Sequence, residues 1–415
     1  MHAAVALMLA VTVSGCGSGA GSDSNARFSR VAEAPSTPGS CSGTVLKTLG
    51  RVARYIYHQG LAGERPRLAV RRIAASSSLR AAVESGNAAA ARDAATVLLA
   101  HGPMTNLRVM RGKQVLAEVG GAAVTPLRGT LTGAGGQPIG SYVTSVWADE
   151  GLIAETNGVT GGRVALRMNG RSVGGSLALG AGALPAQGTL VHDHVRYQYT
   201  SFAGEAYPAG ALRVYLFKPV QRTWAFCGRT DGDTAVNTLS HIAKIIYAGE
   251  AGPRRTLPQI TRIQQSQPFV RAVAARDPIA TKAAIDSLLT EHVVRLRVLV
   301  GGRVLADVGG PYVLAPVTAP VLSGGRTVAS MILSIQDDEG YLRLLRRLVG
   351  LRMLMYVNPS HPQLVKNSLG PEPGTVPASG FYEYRGRPYR VFTVNASAFP
   401  SGPLTIRVLV PLPYP

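Results

Sequence analysis

Two histidines flanking an aspartate in the stretch "HDH", His192 and His194, could reach from one face of a strand to a shared metal ion. Sequence supplies no third ligand, so a structural or solvent-facing pair is the simpler assignment. The acidic steps Asp149–Glu150 and Asp337–Asp338 could act as general acids or bases. Both fall where a short helix begins, and there acids cap free N–H groups and complement the helix dipole without any catalysis. HExxH, CxxC and Walker A spacings do not occur. "GAGG" at Gly133 precedes a strand instead of joining a strand to a helix, which excludes a dinucleotide fingerprint. The chain is therefore expected to be no enzyme, with no catalytic residue, no metal and no cofactor.

What the chain can build is set by its composition. Its 415 residues exceed one ordinary domain and fit two. With 46% hydrophobic and only 16% charged residues, each part can bury a core of aliphatic side chains. The net charge of +20 would suit an anionic partner. Arginines are nevertheless scattered, with short clusters at Arg71–Arg72, Arg254–Arg255 and Arg346–Arg347, and no basic stripe is interleaved with aromatics. Nucleic acid is not expected as a partner. An anionic envelope surface fits better.

The N-terminal apolar run at 3–13 is shorter than the roughly 20 residues a membrane span needs and has the length of a signal-peptide core. It ends in Val13, Ser14, Gly15 and Cys16, a run that resembles the bacterial lipobox. That resemblance implies a signal peptide at 1–16, lipidation of Cys16, a polar tether at 17–40 and attachment to the cell membrane; a plain secretory signal is the alternative. Either way the rest of the chain is expected to be extracytoplasmic. With Cys16 lipidated, Cys41 and Cys227 are left as an even pair in an oxidising compartment, each shortly before the first helix of its half, and a disulfide between them is expected. Two unpaired cysteines are the alternative.

The sequence says one phrase twice. Residues 106–121 and 295–310 agree at ten of sixteen positions without a gap, at an offset of 189 (116 to 305). "SVWADEG" and "SIQDDEG" keep that offset, while "TLGRVARYIY" and "TLSHIAKIIY" pair at 190 (48 to 238). The match runs from first helix to last strand, as a tandem duplication would leave it. In each copy Val45, Leu49, Val52 and Ile56, or Val236, Leu239, Ile242 and Ile246, take helical spacing. Further helices follow, and the pattern then switches to period two around hairpin turns at Arg111–Lys113 and Gly301–Gly302. After a Gly/Pro loop come a strand, a short helix and three or four more strands. Helices first and an antiparallel meander afterwards is an α+β order.

These residues resemble the Cache domain, the extracytoplasmic relative of the PAS fold. The resemblance rests on the leading helix, the hairpin "LRVLVGGRVLADVGG", the Gly/Pro loop, the strand in "TVASMILSIQDDEGYLRLLRRLVG" with its acidic step, and the closing strands. It implies two tandem Cache-like domains, 41–222 and 223–415, each with leading helices and an antiparallel sheet. It also implies a small-molecule pocket between the sheet and the helix and loop that cover it, and a separate envelope or sensor-kinase protein to receive the signal. The elements so placed carry Tyr341, Arg352, Tyr356, Tyr382, Tyr384 and Tyr389 in the second copy, where an arginine among tyrosines suits a carboxylate. Trp147, Arg167, Tyr197 and Tyr199 hold similar places in the first. The first copy is Gly-rich at 158–188 and is expected to lack the helix "GYLRLLRRLVGLRM" that the second retains, which makes the second copy the expected binder. An envelope scaffold whose pockets are filled by side chains is the alternative.

Overall fold

The computed structural model describes residues 38–412 apart from 180, 181, 183, 290, 291, 359 and 401. Cys16, the signal peptide and most of the tether lie outside them. The first half opens with helices α1 (Pro38–Ala62), α2 (Glu64–Ala75), α3 (Ser77–Ser85) and α4 (Ala88–Ala100). Polar side chains start two of them: Ser76 accepts from the Leu79 amide and Asn87 from the Ala90 amide, which relieves otherwise unpaired N–H groups. Strands β1 (Asn106–Arg111), β2 (Gln114–Gly120), β3 (Ala123–Val124), β4 (Leu127–Thr132), β5 (Pro138–Ser145) and β6 (Trp147–Ala148) follow. Helix α5 (Asp149–Thr160) leads to β7 (Arg163–Met168), β8 (Arg171–Gly175), β9 (Gln187–His192), β10 (Val195–Glu205) and β11 (Ala211–Pro219). A turn of helix, α6 (Val220–Thr223), and a 3-10 turn link the halves.

The second half repeats the order. Helices α7 (Asp231–Ala251), α8 (Pro253–Gln265), α9 (Gln267–Ala274) and α10 (Pro278–Leu288) precede β12 (Arg295–Val300), β13 (Arg303–Gly309), β14 (Val313–Leu314), β15 (Val317–Ser323) and β16 (Arg326–Ser334). Then come α11 (Asp338–Val349), β17 (Arg352–Val357), β18 (Gln363–Asn367), β19 (Gly380–Tyr384), β20 (Arg387–Phe399) and β21 (Gly402–Pro411). The class is α+β, as the sequence indicates. Each half, however, builds two large antiparallel sheets where one was expected: β2-β1-β5-β4 and β8-β7-β11-β10-β9 in the first, with β3 and β6 forming a further two-stranded sheet, and β13-β12-β16-β15 and β14-β20-β21-β17-β18, with β19 also on β20, in the second. The hairpins match even in their irregularity, since the register slips between Val109 and Met110 and again between Val298 and Leu299.

A serine makes the break between sheets. Fully buried Ser145 donates from Oγ to the Val124 carbonyl and accepts from the Trp147 amide, and Ser334 bonds Leu314 and Gln336 in the same way. Each turns the chain out of its first sheet and into the helix that follows. An ion pair ties the two strands of each hairpin together near its base. Arg108 meets Glu118 at 3.2 Å, and at the corresponding place Arg297 and Arg295 both hold Asp307, with their guanidinium groups 4.7 and 5.2 Å from the Phe399 ring centre.

Burial alone would raise the Asp307 pKa, but the hydrogen bonds from Arg295 and Arg297 outweigh it and hold the carboxyl below its ordinary value. A depressed folded-state pKa contributes stability above the unfolded value, near pH 4, that is lost as pH falls through the folded value. Asp307→Asn should therefore lose stability at neutral pH and show a shallower further loss below about pH 4. Parallel acid titrations of both proteins by circular dichroism check this, and identical acid limbs would refute it.

Cores follow the sheets. Helices α2, α3 and α4 cover the first sheet through Ile73, Leu79, Val83 and Ala95 against Leu107, Val109 and Tyr142, and α8 to α10 cover their counterpart through Ile263, Phe269 and Ile285. The other two sheets share one core. In it α1 (Leu49, Val52, Ala53, Ile56) and α7 (Leu239, Ile242, Ala243, Ile246) pack together, flanked by α5 (Leu152, Val159) and α11 (Tyr341, Leu345, Val349). The halves are thus joined by a four-helix junction.

Helix α5 corrects the expectation that the first copy lacks this element. Its buried face is Leu152, Thr156, Val159 and Thr160, half of it threonine, so the amphipathic stripe that marks α11 is faint there. Asp337 caps α11 by accepting from the Gly340 amide, while Asp338 pairs with Lys366 at 3.3 Å and Asp149 accepts from the Glu150 amide.

Backbone conformation also constrains the hairpins. Gly309 ends β13 at φ +133°, and a Cβ there would press on the Val294 carbonyl and the Arg295 Cα. Gly309→Ala should cost about 1–3 kcal/mol, more than Gly301→Ala at the open turn. Urea midpoints of the two variants test the order.

Candidate functional site

Tyr55 and Gln59 lie one turn apart near the end of α1, and the chain then turns at Gly63 so that Arg65 and Arg67 at the start of α2 come up beside them. Trp147 of β6 closes that side. Its indole packs against Gly60, where there is no space for a Cβ. The opposite wall belongs to the second half. Arg343, Arg346 and Arg347 of α11 stand at i, i+3 and i+4, on the face turned away from the buried Tyr341, Leu345 and Leu348. Between the walls lies a cleft of about 480 Å³.

Five arginines and one carboxylate, Glu64, line the cleft. Arg347 reaches Glu155 of α5 at 3.5 Å, and Arg343 stands 4.0 Å from Asp337. Among the described residues no carboxylate lies within ion-pair distance of Arg65, Arg67 or Arg346. Arg65 stacks over Trp147 with its guanidinium carbon 5.5 Å from the ring centre. Burial pushes its pKa below the ordinary arginine value, Arg347 adds to that, and Glu155 opposes it. Tyr55 donates its hydroxyl to the Arg346 carbonyl at 3.0 Å, which ties α1 to the last turn of α11. A concave surface of this size with convergent donors and an aromatic wall can hold a small molecule by charge and stacking.

The residues singled out in the sequence are placed differently. Tyr356, Tyr382 and Tyr389 do share one sheet face, with Leu354, Val391 and Leu409, but fully buried Val376 and the adjoining segment pack over them. Arg407 lies over the Tyr356 ring at 4.2 Å, Tyr382 donates to the Pro373 carbonyl, and Tyr384 donates to that of Pro371 at 2.7 Å. Tyr341 is on the other side of the sheet, fully buried in the helical junction and donating to the Ala243 carbonyl at 2.9 Å. Arg352 donates to the Ser368 carbonyl at 3.0 Å. The five residues do not converge on one cavity.

In the first half Tyr197 and Tyr199 form a small aromatic core with Tyr215 and Phe217, and Arg167 donates to the Gly170 and Gly182 carbonyls. Trp147 alone of these candidates reaches the cleft. His192 sits 3.2 Å from Asp193, and among the described residues no three His, Cys, Asp or Glu side chains gather as a metal site. The sequence reading also missed one spacing, since residues 170–174 read GxSxG. Ser172 lies in the β7–β8 hairpin, not on the strand-to-helix elbow that exposes a nucleophile. Cys41 and Cys227 are disulfide-bonded, 186 residues apart, with Cys41 inside the first turns of α1 and not before the helix.

No family model matches the chain, and no curated protein does. Two similar solved structures are a periplasmic domain and an extracellular receptor. The periplasmic domain of Vibrio cholerae LuxQ aligns over 44% of this chain and all of its own length, at 11% identity and a TM-score of 0.28. An extracellular ligand binding receptor from Desulfohalobium retbaense aligns over 54% of this chain at 9% identity and a TM-score of 0.20. The chain spans 47% of that receptor's length. Both scores are low, and the functional reading rests on the cleft.

Sequence reasoning recorded Arg346–Arg347 as a charge cluster without a role. The signal that could have found the site was the repeat itself. At the offset of 189, the first copy has Ala154, Asn157 and Gly158 where the second has Arg343, Arg346 and Arg347. The arginines are therefore not required to form the helix.

Proposed function

We propose that this chain is an extracytoplasmic, non-catalytic small-molecule-binding protein of the sensor type, composed of two Cache-like domains at 41–222 and 223–415 and held to the membrane by lipid on Cys16. Its ligand occupies the cleft between the end of α1 and the outer face of α11. The observation that carries this reading is the cleft's position: it is walled by both halves, so an occupant contacts both at once. The disulfide supports the compartment, because such bonds persist outside the reducing cytosol. A signal would pass to a separate envelope or sensor-kinase protein.

One observation favours a second reading, an envelope scaffold: the tyrosine-bearing sheet face of the second half is filled by the protein's own side chains. Thermal unfolding against a library of carboxylates, phosphates, amines, sugars and nucleobases separates the two. A ligand at about a hundredfold above its Kd adds roughly 2.7 kcal/mol. A midpoint shift that disappears in Trp147→Ala supports the cleft; a flat response across the library supports the scaffold.

A further inference from the structure

The repeat provides an internal control for the cleft. At the offset of 190, Arg65 corresponds to Arg255 and Gly60 to Glu250, and at 189 Trp147 corresponds to Gln336. In the second half, buried Glu250 holds Arg255 at 3.0 Å. In the first half that carboxylate is replaced by Gly60, whose place against the Trp147 indole leaves no room for a side chain, and Arg65 turns onto the indole instead. Across the junction, the positions of Ala154, Asn157 and Gly158 are matched by Arg343, Arg346 and Arg347. The same architecture therefore occurs twice, once with its arginine held by a carboxylate, and once with that carboxylate absent and three arginines on the second helix, α11. Packing against the Trp147 indole accounts for Gly60, but it does not call for the added arginines, whose mutual repulsion opposes the fold.

We infer that the cleft is specific for a small, multiply charged oxyanion, a diphosphate or polycarboxylate, gripped by Arg65 and Arg67 from the first half and by Arg346 from the second. This rests on the reading of the cleft as the ligand site and names what it selects. Guanidinium groups pair with phosphate and carboxylate through two parallel hydrogen bonds, and unpaired arginines on opposite walls call for an anion with charge at both ends. A diphosphate could be free or could belong to a lipid headgroup, and the chemistry of the grip is the same.

The test uses the mature protein carrying Trp224→Phe, so that Trp147 is the single tryptophan reporter. Pyrophosphate, citrate and trehalose are titrated by calorimetry and indole fluorescence, and phosphatidylcholine vesicles with and without cardiolipin by sedimentation. Pyrophosphate or citrate should bind and perturb Trp147, trehalose should not, and Arg346→Ala or Arg65→Ala should weaken binding by about tenfold or more. Arg255→Ala, at the corresponding position of the other half, should bind as the parent does. Cardiolipin vesicles bound without free pyrophosphate, and released by Arg346→Ala, would make the headgroup the source of the anion. Anion binding unaffected by Arg346→Ala and Arg65→Ala overturns the inference. Trehalose or another neutral library compound quenching Trp147 in place of the anions overturns it while leaving a ligand site in the cleft, and silence from every compound removes both readings.

Discussion

Replacing Cys41 and Cys227 together by serine should lower the unfolding free energy by about 3–5 kcal/mol, the range for a cross-link that closes a very long loop. The bond ties the start of α1 to the linker just ahead of α7 across 186 residues. In the chain-entropy account the stabilisation comes from the unfolded state, which loses the freedom to separate these two points. The folded state has little to lose from the substitution, because Val45, Leu49, Leu239 and Ile242 already hold α1 and α7 side by side without it. The fold should survive and its denaturation midpoint should fall. Equilibrium denaturation of the oxidised protein, the reduced protein and the double variant measures this. Agreement of the last two, well below the first, is the expected pattern, while three coincident curves would show that the link contributes nothing.

Tyr341→Ala should be comparably damaging, at about 3–5 kcal/mol, and the loss should be one of stability and not of binding. The ring is fully buried between α7 and the second half's sheet, edge-on to Tyr247 at 5.8 Å, and its hydroxyl reaches the Ala243 carbonyl. Burial, with smaller contributions from Tyr247 and Glu250, pushes the phenol pKa well above its usual value, so it stays protonated and a donor. Truncation leaves a void where four helices meet, and the side chains around it can close in only partly. Tyr341→Phe keeps the volume and removes one hydrogen bond, for about 1 kcal/mol. A Tyr341→Ala protein of native stability that no longer bound a ligand would return this residue to the role its sequence position suggested.

Those two residues illustrate what can be read from a sequence. The cysteines were legible because so few partners were possible, and the hairpins because β1 with β2 and β12 with β13 combine period-two patterning with a repeated phrase. Two sheets per half were not legible. The break depends on the hydroxyls of Ser145 and Ser334, and a serine at the end of an apolar run looks like any strand terminus. The tyrosines at 356, 382 and 389 share one sheet face, yet Tyr341 comes from the helix on the other face of that sheet, a difference that periodicity within one element does not express. The cleft was hidden for a simpler reason. Arg65 and Arg346 are on different halves of the chain, and only the packing of α11 beside α1 makes them neighbours.

That packing has a consequence for how such a chain could arise. Leu49, Val52, Ala53 and Ile56 of α1 occupy the places that Leu239, Ile242, Ala243 and Ile246 hold in α7, and the two sets meet in one core. Either half produced alone would present this stripe to water, and a second copy of itself would be the surface best shaped to cover it. A symmetric dimer of half-length chains is the arrangement that would cover it. Two identical subunits must carry every change twice, whereas fusion frees each side to vary alone, which is the condition under which one side could keep Glu250 while the other acquired its arginines.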